Sequence, residues 1–115
     1  MRYKPYVPQS VGELLDCLGH MMLAAPKFKD KTGYLPEEHV ETSFISLNEG
    51  LQVVRPKIGE KLYASLKAMS DKMRALFESD PEDKTGGARA GRVLIREIED
   101  ILTDVAKQEA SNQSR

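Results

Sequence analysis

The sequence is poor in the residue types that most often carry catalytic or metal chemistry. Its 115 residues include one cysteine, two histidines and no tryptophan. A single cysteine, Cys17, cannot form an intrachain disulfide, which excludes a disulfide-stabilised scaffold. The 17 basic residues nearly balance the 18 acidic ones. This balance excludes both the basic excess of a general nucleic-acid binder and a strongly acidic chain.

Long apolar segments are absent as well. No apolar run approaches the roughly 18 residues of a membrane span. Residues 1–8, interrupted by Pro5 and Pro8, lack the apolar stretch of a signal peptide. We therefore expect a cytoplasmic protein that does not enter a membrane. With 40% hydrophobic and 30% charged residues, the composition is typical of one globular domain.

Helical periodicity is the strongest pattern that is present. Apolar residues recur at intervals of three and four in four stretches, and no stretch shows the sustained alternation of a strand. The pattern predicts helices over 10–25, 37–55, 58–79 and 88–107. We therefore predict an all-α, single-domain four-helix bundle over 10–107. An extended arm over 1–9 is expected before the bundle and a disordered tail over 108–115 after it.

Local signals set several of the predicted helix ends. Ser10, followed three residues later by Glu13, is typical of a capping box at the start of the first helix. Pro56 is expected to break the second helix, because proline disfavours helical geometry in the residue before it. The Asp-Pro pair at 80–81 is expected to end the third helix.

The predicted core faces consist of regularly spaced large apolar residues. In chain order they are Val11, Leu14, Leu15, Leu18, Met21 and Met22; Val40, Phe44, Leu47, Leu51 and Val54; Ile58, Leu62, Leu66, Met69, Met73, Leu76 and Phe77; and Leu94, Ile98, Ile101, Leu102 and Val105. Each such side chain contributes about 1.5–3 kcal/mol when buried. The sum is sufficient for a core without metal or disulfide.

A tetrapeptide, Asp-Lys-Thr-Gly, occurs twice, at 30–33 and at 83–86. Each copy lies between two predicted helices. Asp, Thr and Gly are favoured turn residues, so both copies are predicted to form turns. The repeat would also fit a duplicated helical hairpin, but the residues around the two copies align poorly. We favour the independent use of good turn residues.

Neither the histidines nor the cysteine form a catalytic or metal-binding pattern. His20 is expected on an exposed helix face, and His39 lies beside Glu38 without the spacing of a helical metal site. Cys17 and His20 would be neighbours on one helix, but nothing completes a nucleophilic site, so Cys17 is expected to be a small buried hydrophobe. We therefore predict no catalytic residue, no metal ligand and no cofactor, and expect the protein not to be an enzyme.

Two groups of residues are candidates for contact with another protein. Ile45 and Val53 lie off the apolar stripe of the second helix, where exposed apolar side chains can mark an interface. The second group is a cluster of carboxylates around the third connection, expected to form an exposed loop that can face a basic partner. Its members are Glu78, Asp80, Glu82 and Asp83.

Three arginines at the start of the fourth helix support a different interpretation. Arg89, Arg92 and Arg96 follow a glycine-rich segment, and backbone N–H groups at such a helix start can bind anions. The helical angle places these arginines nearly opposite Leu94 and Ile98, on the solvated face. We favour a solvated helix face, with a phosphate or acidic-partner site as the alternative, and do not expect nucleic acid to be the partner.

Together these observations predict a non-enzymatic module that binds another protein. In type, the chain resembles the bacterial immunity proteins, which are small and neutralise a toxin by covering its active surface. We therefore expect an immunity- or antitoxin-type inhibitor whose partner is a toxin encoded by a neighbouring gene. Two alternatives stay open: an anion- or nucleic-acid-linked regulatory protein that uses the arginine face, and a homodimeric structural protein. The homodimer would pair through the small residues Ala64, Ala68 and Ala75.

Overall fold

Four helices make up the part of the chain described by the computed structural model, which covers residues 6–26, 28 and 40–113. They are α1 (Val11–Ala24), α2 (Val40–Ile58), α3 (Glu60–Ser79) and α4 (Gly87–Gln113). No strand occurs among the residues that the structure describes. The prediction of an all-α, single-domain four-helix bundle is confirmed.

Each helix packs against two neighbours, in the cyclic order α1, α2, α3, α4 and back to α1. Short connections make α2 antiparallel to α3 and α3 antiparallel to α4: Gly59 alone joins α2 to α3, and residues 80–86 join α3 to α4. The guanidinium of Arg92, near the start of α4, donates a 3.3 Å hydrogen bond to the carbonyl of Ala25, just past the end of α1. One end of the bundle therefore holds the end of α1, the start of α2 and the α3–α4 connection.

The core follows the predicted apolar faces closely. Phe28, which follows α1, packs edge-on against Phe44 and Phe77, with ring centroids 5.8 and 5.1 Å apart. Such edge-to-face pairs contribute about 0.5–1.5 kcal/mol beyond area burial. The predicted residues that are buried are Val11, Leu14, Leu18, Met21, Phe44, Leu47, Leu51, Val54, Leu66, Met73, Phe77, Ile98 and Leu102.

Pro56 does not break α2, and the prediction of a helix end before it is wrong. The helix continues through Pro56 and ends at the glycine turn, where Gly59 adopts φ +90°. Pro56 removes one backbone donor, a small loss so close to the helix end. The side chain of Arg55 secures this turn: it donates hydrogen bonds of 2.7 and 2.5 Å to Glu60 and stacks 4.3 Å from the ring centre of Tyr63.

The stripe of α4 differs from the prediction at its first position, where Ile95 takes the place of Leu94, whereas Ile98 and Leu102 are buried as predicted. Ile95 is completely buried, whereas Leu94 is only partly buried against the core. Both residues lie at helical spacing from Ile98, so spacing alone allows two registers and packing selects one. The shift places Arg92, three residues before Ile95, at the edge of the core rather than opposite it.

The last helix also extends beyond its predicted end. α4 continues to Gln113, so residues 108–113 are helical instead of belonging to a disordered tail. No glycine or proline follows 107, and Gln, Glu and Ala are favourable helix residues. The carboxylate of Glu109 lies 3.8 Å from the ammonium of Lys57, which links this extension to the end of α2.

Some predictions fall outside the described residues. These are the start of the second helix at 37–39, His39, the first Asp-Lys-Thr-Gly copy and positions 1–5 of the arm. The second copy of the tetrapeptide lies, as predicted, in the connection between α3 and α4, where Asp83 and Gly86 have φ of +57° and +93°.

Candidate functional site

Asp80 does not belong to an exposed acidic loop, and that expectation is wrong. Its side chain is buried, with the residue 2% exposed. One carboxylate oxygen accepts hydrogen bonds from the backbone N–H groups of Lys84 and Thr85 at 2.7 and 3.0 Å. The other accepts from the N–H of Ala88 at 3.0 Å. Asp80 thus organises the connection and the first turn of α4.

These hydrogen bonds also change the acidity of Asp80. The backbone N–H of Ala88 is the main cause, with those of Lys84 and Thr85 adding to it, and together they lower the pKa from 3.8 to about 2. Burial opposes the shift but does not cancel it. Donors that stabilise a carboxylate favour its charged form. Asp80 is therefore a structural anion that a partner cannot reach.

The other predicted acidic residues are exposed, and ion pairs with arginines hold Asp83 and Glu78. Asp83 lies 3.1 Å from the guanidinium of Arg92, and Glu78 lies 3.4 Å from that of Arg74. Glu82 is exposed as well. Much of the negative charge that the sequence places around this connection is thus balanced by neighbouring arginines.

The three arginines of α4 do not form one uniform exposed face. Arg89 and Arg96 are exposed, as predicted. Arg92 is half-buried, because it bridges Asp83 in the connection and the carbonyl of Ala25 at the end of α1. Arg92 therefore ties two parts of the fold together, which leaves two of the three side chains fully available to an anion.

The apolar candidates on α2 are exposed where the sequence predicts them. Ile45 is 37% and Val53 is 40% exposed. Val53 follows Ser46 by two helical turns and therefore lies on the same face of α2. Ser46 itself lines a concave feature in the described part of the molecule.

This feature is a pocket of about 310 Å³ between the N-terminal arm, α1 and α2. The arm contributes Tyr6 and Pro8. The residues from α1 are Glu13, Asp16, Cys17, His20 and Met21, and those from α2 are Thr42, Ser43 and Ser46. We call the pocket together with the exposed Ile45 and Val53 the pocket face.

The arm is held against the helices by Glu13 and by a close approach at Gly50. The carboxylate of Glu13 accepts hydrogen bonds from the Tyr6 hydroxyl and, at 3.0 Å, from the backbone N–H of Gln9. Pro8 is buried against α2, where a Cβ on Gly50 would lie 3.0 Å from its ring and 2.7 Å from a methyl of Leu14. Glycine is thus needed at position 50 for the arm to pack.

The capping box predicted from Ser10 and Glu13 forms in part. The Ser10 hydroxyl accepts the backbone N–H of Glu13 at 3.1 Å, as the motif requires. The Glu13 carboxylate, however, bonds the arm instead of the N–H of Ser10. Its bond to Tyr6 is the main reason that the pKa of Glu13 is lowered and that of Tyr6 raised.

Cys17 is the one thiol among the described residues that line the pocket. Burial raises the pKa of the Cys17 thiol to about 11, so the thiol stays protonated near neutral pH and is a poor nucleophile. Thr42 and Ser46, which carry hydroxyl groups, are also among the lining residues. In the described part of the chain, His, Cys, Asp and Glu side chains form no group of three that could hold a metal ion.

Sequence reasoning identified several of these residues but not the pocket. The sequence pattern marks Glu13 as a cap and Cys17 and His20 as neighbours on one helix, whereas Pro8 carries no recognisable signal. One indication is available in hindsight: Thr42 and Ser46, four residues apart, place a polar strip beside the apolar stripe of α2.

Comparison with models of known protein families, with curated proteins and with solved structures finds no match to this chain. Among the helices described, none combines the length and apolar character that crossing a membrane requires. The assignment of function therefore depends on the geometry of the molecule itself.

Proposed function

We propose that the protein is a non-catalytic module that binds another protein through the pocket face. The observation that carries this proposal is a pocket lined in part by Thr42 and Ser46 of α2, the helix that also exposes the apolar side chains of Ile45 and Val53. Exposed apolar residues beside a concave site are typical of protein contact surfaces. A partner would bury both side chains while placing one of its own in the pocket.

The state of the titratable groups supports binding over catalysis. General acid–base or nucleophilic work requires a group whose pKa is tuned towards the working pH. Here burial raises the pKa of the Cys17 thiol, away from the working pH. The carboxylate of Glu13 is held by Tyr6 and Gln9, which lower its pKa and commit it to anchoring the arm.

The finer form of the proposal is an inhibitor of the immunity or antitoxin type, acting in the cytoplasm on a toxin encoded by a neighbouring gene. Its support is the small all-α bundle and the near balance of 17 basic and 18 acidic residues. Such a chain can cover a toxin's active surface without contributing chemistry of its own.

The test is co-expression with the product of the neighbouring gene, followed by co-purification. The variant Ile45→Asp/Val53→Asp places two charges on the pocket face, whereas Val93→Asp changes a residue that is 51% exposed on α4. We expect the wild type and Val93→Asp to retain the partner and the double variant to lose at least about tenfold in affinity. If the double variant retained the partner, the pocket face would not be the contact surface. If no stable complex formed at all, the proposed function would be overturned.

A further inference from the structure

The pocket has a charge and a shape that select its occupant. We propose that it receives the side chain of a lysine or arginine from the protein partner. This inference rests on the proposed function and adds the chemistry of the residue that the pocket recognises.

Charge is the first argument. The pocket carries two carboxylates, Glu13 and Asp16, and none of its lining residues in the described part of the chain is a lysine or an arginine. The hydrogen bonds from Tyr6 and Gln9 lower the pKa of Glu13 and so favour its charged form. Among the described lining residues, the imidazole of His20 is the one basic group beside the carboxylates of Glu13 and Asp16, so the described part of the lining favours a cationic occupant over an anionic one.

Shape and wall chemistry narrow the choice further. The volume of about 310 Å³ is at the lower end of the range for small-molecule sites, which suits a single long side chain. Pro8 and Met21 provide apolar contact for the methylene stem of lysine or arginine. The hydroxyl oxygens of Thr42 and Ser46 can accept hydrogen bonds from an ammonium or guanidinium group.

The acidic connection between α3 and α4 is a poorer site for the same cation. Asp80 is buried and fully used by backbone donors, and Asp83 already has Arg92 as its partner. A basic residue of a partner would have to displace an internal arginine there. At the pocket, the carboxylate of Glu13 accepts hydrogen bonds from the uncharged donors of Tyr6 and Gln9, so a cation there would not have to displace an arginine from it.

Capped amino acids provide the direct test, because they can be compared on the full chain without knowing the partner. The probes are acetyl-lysine amide, acetyl-norleucine amide and acetyl-glutamate amide at millimolar concentrations, followed through the methyl resonance of Met21. Met73, which is buried in the core, serves as the internal reference. We expect the lysine probe to bind in preference to norleucine, which has a similar stem but no charge, and the glutamate probe to bind least.

Two matched variants connect this binding to the pocket charge. Asp16→Asn should lower the affinity for the lysine probe by about two- to fivefold, and added salt should lower it to a similar extent. Asp104 is an exposed acidic residue of α4 that is not among the lining residues of the pocket. Asp104→Asn should therefore leave the affinity for the lysine probe unchanged. The inference would be overturned if the lysine and norleucine probes bound equally well, or if Asp16→Asn bound the lysine probe as tightly as the wild type. It would also be overturned if the methyl resonance of Met21 did not respond to the probes. These results concern the isolated chain, so they are distinguishable from a failure to find a protein partner.

Discussion

The connection between α3 and α4 and the pocket face both carry acidic side chains, but the two regions use them in different ways. In the connection, Asp80 points inward and its oxygens accept three backbone N–H groups. On the pocket face, Glu13 is held from one side by the arm while Asp16 is exposed. The sequence around 78–83 is the more acidic of the two, yet the pocket is the better site for a cationic group.

The difference shows what decides whether a carboxylate is available. A turn that leaves several N–H groups without helical partners will capture a nearby carboxylate, because unpaired buried donors are costly. The connection before α4 has such donors, and Asp80 satisfies them. In the pocket, Tyr6 and Gln9 bond Glu13 without burying its carboxylate, and Asp16 is exposed, so a ligand can reach acidic groups there. The predictions below test this contrast, from the largest expected effect to the smallest.

Replacing Asp80 should cause the largest loss of stability. Asp80→Ala removes the acceptor of three backbone hydrogen bonds and leaves the N–H of Ala88 buried without a partner. We expect the melting temperature to fall by about 5–10 °C. Glu78→Gln is the control, because it changes an exposed carboxylate two residues away and should have little effect. A similar melting temperature for Asp80→Ala and the wild type would show that the connection does not depend on this anion.

Acid should reveal the same carboxylate. The folded-state pKa of Asp80 is lowered to about 2, so its contribution to stability is present above pH 4 and is lost as the pH falls towards 2. Asp80→Asn lacks the titrating group. We therefore expect the difference in unfolding free energy between wild type and Asp80→Asn to shrink between pH 4 and pH 2 in urea titrations. A difference that stayed constant over this interval would contradict the assignment.

Gly50→Ala should have the next largest effect on stability, and this substitution lies on the pocket side of the molecule. In an open helix, Gly→Ala stabilises by about 1 kcal/mol. At Gly50 the new methyl would lie 2.7 Å from Leu14 and 3.0 Å from Pro8, and overpacking of this kind costs about 1–3 kcal/mol. We expect net destabilisation in chemical denaturation. Gly19→Ala on α1 is the matched control, because no atom lies within 4 Å of its added methyl, and it should be neutral or stabilising.

Glu13→Gln should have a smaller effect that is local to the arm. The amide is a weaker acceptor than the carboxylate for the Tyr6 hydroxyl, so we expect the melting temperature to fall by about 1–3 °C. The hydrogen bond to Glu13 raises the pKa of Tyr6 above 10.0. In the variant, one tyrosine should therefore ionise at a lower pH in an absorbance titration, and Glu97→Gln on α4 should show no such change. If Glu97→Gln and Glu13→Gln gave the same tyrosine titration, the arm would not be held by Glu13.

The fold could be predicted from the sequence because it depends on short-range spacing. Apolar residues three and four apart define a helix face whatever the helix packs against, which is why the large apolar residues buried in α1 and α2 were predicted correctly, whereas the buried Ser43 and Gly50 were not. The errors concern positions where spacing allows two answers or where tertiary contacts decide. Leu94 and Ile95 both fit the stripe of α4, and Pro56 is tolerated because the chain turns at Gly59 instead.

The candidate site could be predicted only in part, since it depends on contacts between distant residues. The exposure of Ile45 and Val53 follows from the stripe of α2 itself. The burial of Asp80 depends on an N–H group eight residues later, and the pocket depends on Pro8 packing at Gly50. No pattern within one helix contains either contact.

The rate at which Cys17 reacts should test the burial of the pocket side without any substitution that changes stability. Burial raises the pKa of its thiol to about 11, so near neutral pH the thiolate is far scarcer than for an ordinary thiol with a pKa of about 8.5. We expect the folded protein to react with a disulfide reagent about a hundredfold more slowly than the urea-unfolded chain at the same pH. Because Cys17 is the one cysteine in the sequence, no other thiol contributes to the signal. If the folded and the unfolded protein reacted at equal rates, the thiol would be accessible to water in the folded state. The apolar wall on which the proposed side-chain recognition depends would then not be packed in solution.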